Sequence, residues 1–350
     1  MSDSTSHPQG EQQHDQQKQQ ALLNIESLDN WLQQQGIKGD GDIAVERLAV
    51  GRSNEMYILS YDHDGQRCDL VLRRPAAVAW EKAEKVLRRE YQLLNALSSQ
   101  SVAVPEVVAI CDDTSVIGVM FYLMKKVEGF VPAMGAIPAG FTDSDERIKQ
   151  TAYAGLEAIA KIHSVDWRAT GLGDFGKPDE FHQRQVGRWT AQLDSYGGRE
   201  LPGLVSIGQW LQQHLPRHWT PTIMHGDYHP LNLLMAEHLP PTISAIVDWE
   251  TSTIGDPFLD LVGFLDIWYD ANAGIDWPDY DTMVAQYLRL VDFEPENMTY
   301  YRLLYYFRQS VLLEGIYQRS LQDTTREPMQ EMASHVDRMI ERAQNLLQQQ

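Results

Sequence analysis

Cysteine is nearly missing: Cys68 and Cys111 are the only two in a chain of 350 residues. Two thiols build neither a disulfide framework nor a cysteine zinc site, and their scarcity suits a reducing compartment. No run approaches the roughly 18 uncharged apolar residues that a spanning helix needs. The Gln-rich start also lacks the apolar core of a secretory signal, so the expected location is cytoplasmic, with no membrane partner. Basic residues disappear over a long interval. Between Arg217 and Arg289 there is no Lys or Arg, while Asp227, Asp248, Asp256, Asp260, Asp266, Asp270, Asp276 and Asp279 all fall there. Of the formal charge of −20, residues 1–126 contribute 13 basic against 18 acidic side chains and the rest 16 against 31, so the acid is concentrated C-terminally. Such a surface neutralises few phosphates, which argues against a nucleic-acid partner.

What is present divides the chain in two. Residues 1–20 are polar and of low complexity and read as a disordered tail, because they cannot bury enough apolar surface to offset the entropy of ordering. From Ala21 the spacing of Leu22, Leu23, Ile25, Leu28, Trp31 and Leu32 is helical and stops near Gly36. Three strand-like runs follow, VERLAV, MYILSYD and DLVLRRP, broken by glycine-containing turns. A helix is expected over 78–97, and VPEVVAICDD and VIGVMFYLMKKV read as two further strands. Residues 21–128 therefore predict a small five-stranded sheet with one packed helix. After Gly129 the pattern turns helical, at about 143–164, 180–195, 203–215, 257–270, 279–292, 296–320 and 327–347. Only TIMHGD, LNLLMA and ISAIVDW, between 222 and 250, are short enough to be strands or loops.

Chemistry concentrates in that strand-like interval, which reads HGDYHPLNLLM from His225 and IVDWETSTIGD from Ile246. Phosphoryl transfer from a nucleotide needs a carboxylate beside the acceptor hydroxyl and oxygen ligands for the magnesium that holds the phosphates. Asp227, with Asn232 five residues on, has the Asp-x-x-x-x-Asn spacing of a kinase catalytic loop, and Asp248 follows sixteen residues later. In this reading Asp227 takes or orients the acceptor proton, and Asn232 and Asp248 ligate the metal.

These residues resemble the aminoglycoside phosphotransferase and choline kinase family. His225, Gly226, Asp227, His229 and Asn232 are similar to its catalytic loop, Asp248 to its metal-binding aspartate, and the GDPFLDL segment with Asp256 and Asp260 to its brace for that loop. The resemblance implies an α+β, protein-kinase-like fold of two lobes: residues 21–128 as a nucleotide-binding sheet lobe, and 129–350 as a helical lobe with the catalytic loop and acceptor site. It implies ATP as donor, with GTP left open, and Mg2+ as the ion. Gly51, Ser53 and Asn54 would then cover the phosphates. Arg73 stands where the wider fold usually has a phosphate-contacting lysine, with Glu90 placed to pair with it; arginine keeps the charge but changes reach and geometry. Lys125 to Val127 would form the hinge that reads the purine. GRSN, VLRRP, RREYQLLNAL, GLGDFGKP, RQVGRWTAQ and DWETSTIGDP further resemble one branch, the kinase-like proteins related to the N-terminal region of certain acyl-CoA dehydrogenases. Members of that branch include kinases acting on hydroxyacyl-CoA.

Simpler readings compete with each of these. Asp227, Asn232 and Asp248 are residue types that cap loops, and Arg73 with Glu90 can be an exposed ion pair. Arg184 and Arg188, one helical turn apart, are either a solvated face or an anion-holding pair for a phosphorylated or CoA-bearing acceptor. His225 reads as loop support and Asp256 as a helix cap. The small-molecule hydroxyl acceptor is open: the acidic C-terminal part favours a cationic aminoglycoside or amino alcohol, whereas the branch resemblance and the arginine pair favour a hydroxyacyl thioester. Two rivals of another class are a metallohydrolase using His225, Asp227 and His229, and a pseudokinase that binds nucleotide without turnover.

Overall fold

The computed structural model describes residues 23–39, 41–48, 54–63, 65–76, 83–323 and 327–350. The expected tail of residues 1–20 lies outside them. The chain divides into two compact units, Met1–Glu128 and Gly129–Gln350.

The first unit opens with α1 (Ile25–Gln34), where the Asn24 side chain accepts from the Ser27 amide at 3.1 Å and Leu28 and Leu32 are buried. Such a cap satisfies an amide that the helix itself leaves unpaired. The strands β1 (Ala44–Leu48), β2 (Asn54–His63), β3 (Gln66–Pro75), β4 (Val107–Cys111) and β5 (Phe121–Lys125) form one antiparallel sheet in the order β1-β2-β3-β5-β4. Alternation along β2 sends Tyr57, Leu59 and Tyr61 into a core with Leu70, Leu72 and Phe121, against which Trp31 packs edge-on to Phe121 at 5.1 Å. The period of two in the sequence thus becomes one apolar sheet face.

The run VIGVMFYLMKKV is not a continuous strand. Val116 and Ile117 belong to a helical turn, α3 (Thr114–Ile117), and only Phe121–Lys125 extends as β5. Asp113 accepts from the Ser115 amide at 2.9 Å, and Gly118 closes the turn at φ 85. A capping aspartate and a glycine free to adopt positive φ outweigh the β-branched content.

Helix α2 (Ala83–Leu97) buries Leu87, Leu93, Leu94 and Leu97 on one face, and Glu90 with them. Glu90 lies 3.0 Å from the guanidinium of Arg73 on β3, with side-chain exposures of 2% and 7%. The exposed-pair alternative is therefore wrong: burial on both sides makes this a desolvated ion pair.

In the second unit, α4 (Asp145–His163) is capped by Ser144 and carries Asp145 and Glu146 in its first turn and Lys161 and His163 in its last, matching the helix dipole at both ends. It is followed by α5 (Phe181–Ser195), α6 (Leu204–Gln213), α7 (Phe258–Ala271), α8 (Tyr280–Leu288), α9 (Met298–Gln322) and α10 (Gln330–Gln348). Helix α7 buries Phe258 to Leu265 almost without interruption, so it runs through the interior. A Cβ on Gly155 of α4 would meet the Phe264 ring at 2.4 Å, so that crossing needs glycine. Two short pairs carry the chemistry-bearing segments: β6 (Thr222–Met224) with β9 (Thr253–Gly255), and β7 (Leu233–Met235) with β8 (Ile243–Ile246). Among the described residues no helix is long and apolar enough to cross a membrane.

Replacing Arg73 by methionine leaves Glu90 buried without its cation, which is expected to cost about 3–5 kcal/mol. Denaturant unfolding of the two proteins checks this; an unchanged midpoint would show that the pair contributes no net stability.

Candidate active site

The loop between β6 and β7 is held by its backbone. The carboxylate of Asp260, near the start of α7, accepts the His225 amide at 2.6 Å and the Gly226 amide at 2.8 Å. Asp260 is 2% exposed, so these are charge-assisted bonds in a low-dielectric interior. Gly226 has φ 85, and a Cβ there would meet the Thr251 carbonyl oxygen at 2.6 Å. Thr251 also donates its hydroxyl to the His225 carbonyl at 3.1 Å. Glycine alone fits this turn, which presents Asp227 next in sequence.

His225 is fully buried and both its ring nitrogens are engaged. Nδ1 accepts the Asp227 amide at 3.2 Å and Nε2 donates to the Val247 carbonyl at 3.0 Å. Desolvation pulls its pKa below the usual imidazole value, against the raising charges of Asp260 and Asp227, so the neutral ring persists. Its role is structural, and with both nitrogens spent it is not free to ligate a metal. The alternation of His225, Asp227 and His229 thus does not form a metallohydrolase site.

Asp227 keeps 40% of its side-chain surface open to solvent. Burial works to raise its pKa, but the hydrogen bond and charge of His229, with the charge of Arg308, outweigh it and hold the carboxyl below its ordinary value. The His229 Nε2 lies 3.4 Å from its Oδ2. Asn232 closes the loop: its side-chain nitrogen donates to the Asp227 carbonyl at 3.0 Å. That leaves the Asn232 amide oxygen available to a ligand.

The β7–β8 pairing supplies the remaining carboxylate. Leu233 faces Ile246, and the Val247 amide donates to the Asn232 carbonyl at 3.0 Å, so Asn232 and Asp248 come together at one end of the hairpin. Asp248 has φ 65 and ψ 60, a left-handed conformation that costs a non-glycine residue on the order of 1–2 kcal/mol. Among the described residues no three His, Cys, Asp or Glu side chains cluster tightly enough to hold a metal by themselves. An amide oxygen with one carboxylate fits instead a hard cation that shares its shell with phosphates and water, as magnesium does.

The acid-rich interval is largely committed to structure. Asp256 accepts the Phe258 amide at 3.1 Å, as its cap reading anticipates, and also bonds Tyr301 at 3.0 Å and His182 at 3.0 Å. Asp266 and Asp270 hold Arg342 of α10, at 3.1 Å and 3.0 Å, and Asp279 caps α8. Of the two brace aspartates, Asp260 bonds the loop from His225 to Asn232, and Asp256 has no bond to it among the described residues.

Other expected site residues fall as follows. Gly51 and Ser53 lie outside the described residues. Asn54 opens β2 opposite Pro75 and is buried. Arg73 and Glu90 are paired, as described. Lys125 ends β5, exposed and paired with Glu106 at 2.7 Å, and Val127 follows in half-buried loop. Arg184 donates to the carbonyls of Asp179 and Lys177, which ties it to the loop before α5. The structure sets Arg188 beside a different arginine, Arg308 of α9; both guanidinium carbons lie over the Trp189 ring, at 5.0 Å and 5.6 Å from its centroid. The sequence reading missed Arg308, whose only signal is a cation inside the aromatic run YYRLLYYFRQS.

Asp260→Asn keeps one acceptor oxygen but orphans one of two buried amides, an expected loss of about 1–3 kcal/mol. Hydrogen exchange at His225 and Gly226 reports it: protection drops at these amides if Asp260 is the brace, and stays unchanged if it is not.

Comparison with known proteins fits this geometry. The model of the phosphotransferase enzyme family matches residues 44–299. Acyl-CoA dehydrogenase family member 10 of Mus musculus is 32% identical over 300 residues, which are 82% of this chain and 27% of that protein. This chain spans about a quarter to two-fifths of the length of the curated relatives it matches. A Ralstonia eutropha protein assigned to the aminoglycoside phosphotransferases superposes with a TM-score of 0.79 at 28% identity, covering 93% of this chain and 99% of that one. The choline kinase of Cryptosporidium parvum shares the fold, with a TM-score of 0.55 at 12% identity over 88% and 89% of the two chains. With the family model covering most of the chain, and the antiparallel sheet and helical units those enzymes share, the chain belongs to the phosphotransferase enzyme family and is an ATP-dependent phosphotransferase of the protein-kinase-like fold.

Proposed function

We propose that the chain transfers the γ-phosphoryl group of ATP to the hydroxyl of a hydroxyacyl-CoA, with Asp227 as the residue that receives the acceptor proton. The observation that carries the reaction type is the loop geometry: Asp227 open to solvent, Asn232 bonded to its carbonyl at 3.0 Å, and Asp248 brought alongside Asn232 by the hairpin. In the transfer the acceptor oxygen forms a bond to the γ-phosphorus, the bond to the bridging oxygen of the β-phosphate breaks, ADP departs and the hydroxyl proton passes to Asp227. Asn232, through its amide oxygen, and Asp248 would hold magnesium, which neutralises charge on the phosphates. Arg73, fixed by Glu90, would contact the phosphates in place of the usual lysine.

The acyl-CoA acceptor rests on two supports. The mouse relative bears the name of an acyl-CoA dehydrogenase family member, and Arg188 has no acidic partner among the described residues. A cationic aminoglycoside or amino alcohol is the competing acceptor. Of the carboxylates that favoured it, Asp266 and Asp270 are paired with Arg342, and Asp256 is buried against Tyr301 and His182, which weakens the electrostatic argument.

Asp227→Asn should lower kcat by about 10²–10⁴ with folding intact, and chelating the divalent cation should abolish turnover. A coupled ADP-release assay over hydroxyacyl-CoAs, aminoglycosides and choline checks both. Turnover undiminished in Asp227→Asn would remove Asp227 from the chemistry, and aminoglycosides as the preferred acceptors would overturn the acyl-CoA reading. Because the Asp227 carboxyl is held below its ordinary value, it is already ionised throughout the neutral range. The acidic limb of kcat/KM should accordingly lie below the usual carboxylate pKa; a limb at neutral pH would point to another proton acceptor.

A further inference from the structure

One guanidinium, that of Arg308, stands beside Asp227, and a second, that of Arg188, shares an aromatic ring with it. Arg308 is 9% exposed and donates to the Gly226 carbonyl, which anchors it one residue from Asp227. With Asp227, Tyr305 and Gln309 it lines a small recess in this unit. Its Nε is buried and has no hydrogen-bond partner among the described residues. Arg188, on α5, shares the Trp189 ring with it.

Another largely buried arginine, and the arginines that tie α10 to its neighbours, are balanced by carboxylates. Arg199 takes Glu314 and Asp337, Arg342 takes Asp266 and Asp270, and Arg73 takes Glu90. Neither Arg188 nor Arg308 has an ion pair among the described residues, although acidic side chains outnumber basic ones 49 to 29. Desolvation, then repulsion from Arg308 and Arg184, disfavours the charged form of Arg188. Arg308 is the desolvated cation of the two and is costly with an unsatisfied N–H; Arg188 is exposed, so its fork is open to a ligand. A guanidinium stacked on an aromatic ring still presents its N–H fork in plane, the geometry that grips carboxylate and phosphate oxygens.

We propose that Arg188 and Arg308 form a binding position for an anionic group of the acceptor, next to the Asp227 carboxylate. The ligand chemistry is a cluster of anionic oxygens, supplied either by the phosphates of a CoA thioester or by the carboxylate of a free hydroxy acid. Arg184, tied to backbone carbonyls, fixes the start of α5 and adds charge from a distance. The assignment deepens the kinase reading by naming what selects its acceptor, and the pair's anion affinity can be measured without turnover.

The first measurement is calorimetric titration of the full chain with inorganic phosphate. The expected result is saturable binding that weakens about tenfold or more in Arg188→Gln, the size of a lost charge-assisted hydrogen bond, with part of the affinity regained in Arg188→Lys. Melting curves of both variants report whether they fold. No saturable binding in the wild type, or equal affinity in Arg188→Gln, overturns the proposal. The second measurement compares one hydroxy acid as its CoA thioester, its uncharged pantetheine thioester, the free acid and the amide. Arg188→Gln should cut kcat/KM for the charged acceptors about tenfold or more, mainly through KM, and the uncharged ones far less. Which charged form suffers identifies the source of the anion. Equal losses on charged and uncharged acceptors would assign the pair to the transferring phosphoryl group and overturn the acceptor role. If no acceptor is phosphorylated, the kinase reading fails while the phosphate titration still decides the arginines.

Discussion

The bidentate grip of Asp260 on the amides of His225 and Gly226 is the constraint on which the site depends. A loop that must present a carboxylate to solvent cannot be stabilised by burying it, so the stabilisation comes from the backbone behind. Asp260 supplies a buried charge to two orphan donors. His225 extends the hold to the Asp227 amide and the Val247 carbonyl, and thereby joins the catalytic loop to the strand that leads to Asp248. Arg308 takes the Gly226 carbonyl. Asp227 is thus fixed through its neighbours while its own carboxylate, touched by His229, keeps 40% of its side-chain surface open to solvent.

This arrangement explains an apparent contradiction in the charge pattern. A stretch of more than seventy residues with eight of its aspartates named above and no cation suggests a cation-binding surface. Yet a carboxylate that accepts backbone amides, a buried tyrosine or an arginine is already engaged by the protein, and Asp256, Asp260, Asp266, Asp270 and Asp279 are all of that kind. The cation that compensates Asp266 and Asp270, Arg342, arrives from α10, far along the chain. Beside Asp227 stands Arg308, a cation with no ion pair among the described residues, which weakens the electrostatic inference drawn from composition.

Legibility followed sequence distance. The spacing of Asp227, Asn232 and Asp248 could be read because one loop and one hairpin carry all three, and backbone geometry fixes their separation. Helix positions in the second unit were readable from periodicity, and most ends shifted by one to three residues, where caps such as Ser144 and Asn297 decide. The Val116–Val127 run misled because β-branched content outvoted Asp113 and Gly118 in the reading, while in the molecule the cap and the positive φ prevail. Arg184 and Arg188 looked equivalent, one turn apart on a helix. Carbonyls of the preceding loop separate them.

The sequence by itself determined the spacing of the loop residues, the order of sheet and helices, and the family, since these rest on local spacing and local period. Only the tertiary structure decided which charges remain unpaired. Arg308 stands 120 residues from Arg188 and 81 from Asp227 along the chain, and nothing local marks it as a neighbour of either. Whether an ionic side chain is spent or available depends on partners brought by other elements, so that property belongs to the packed molecule.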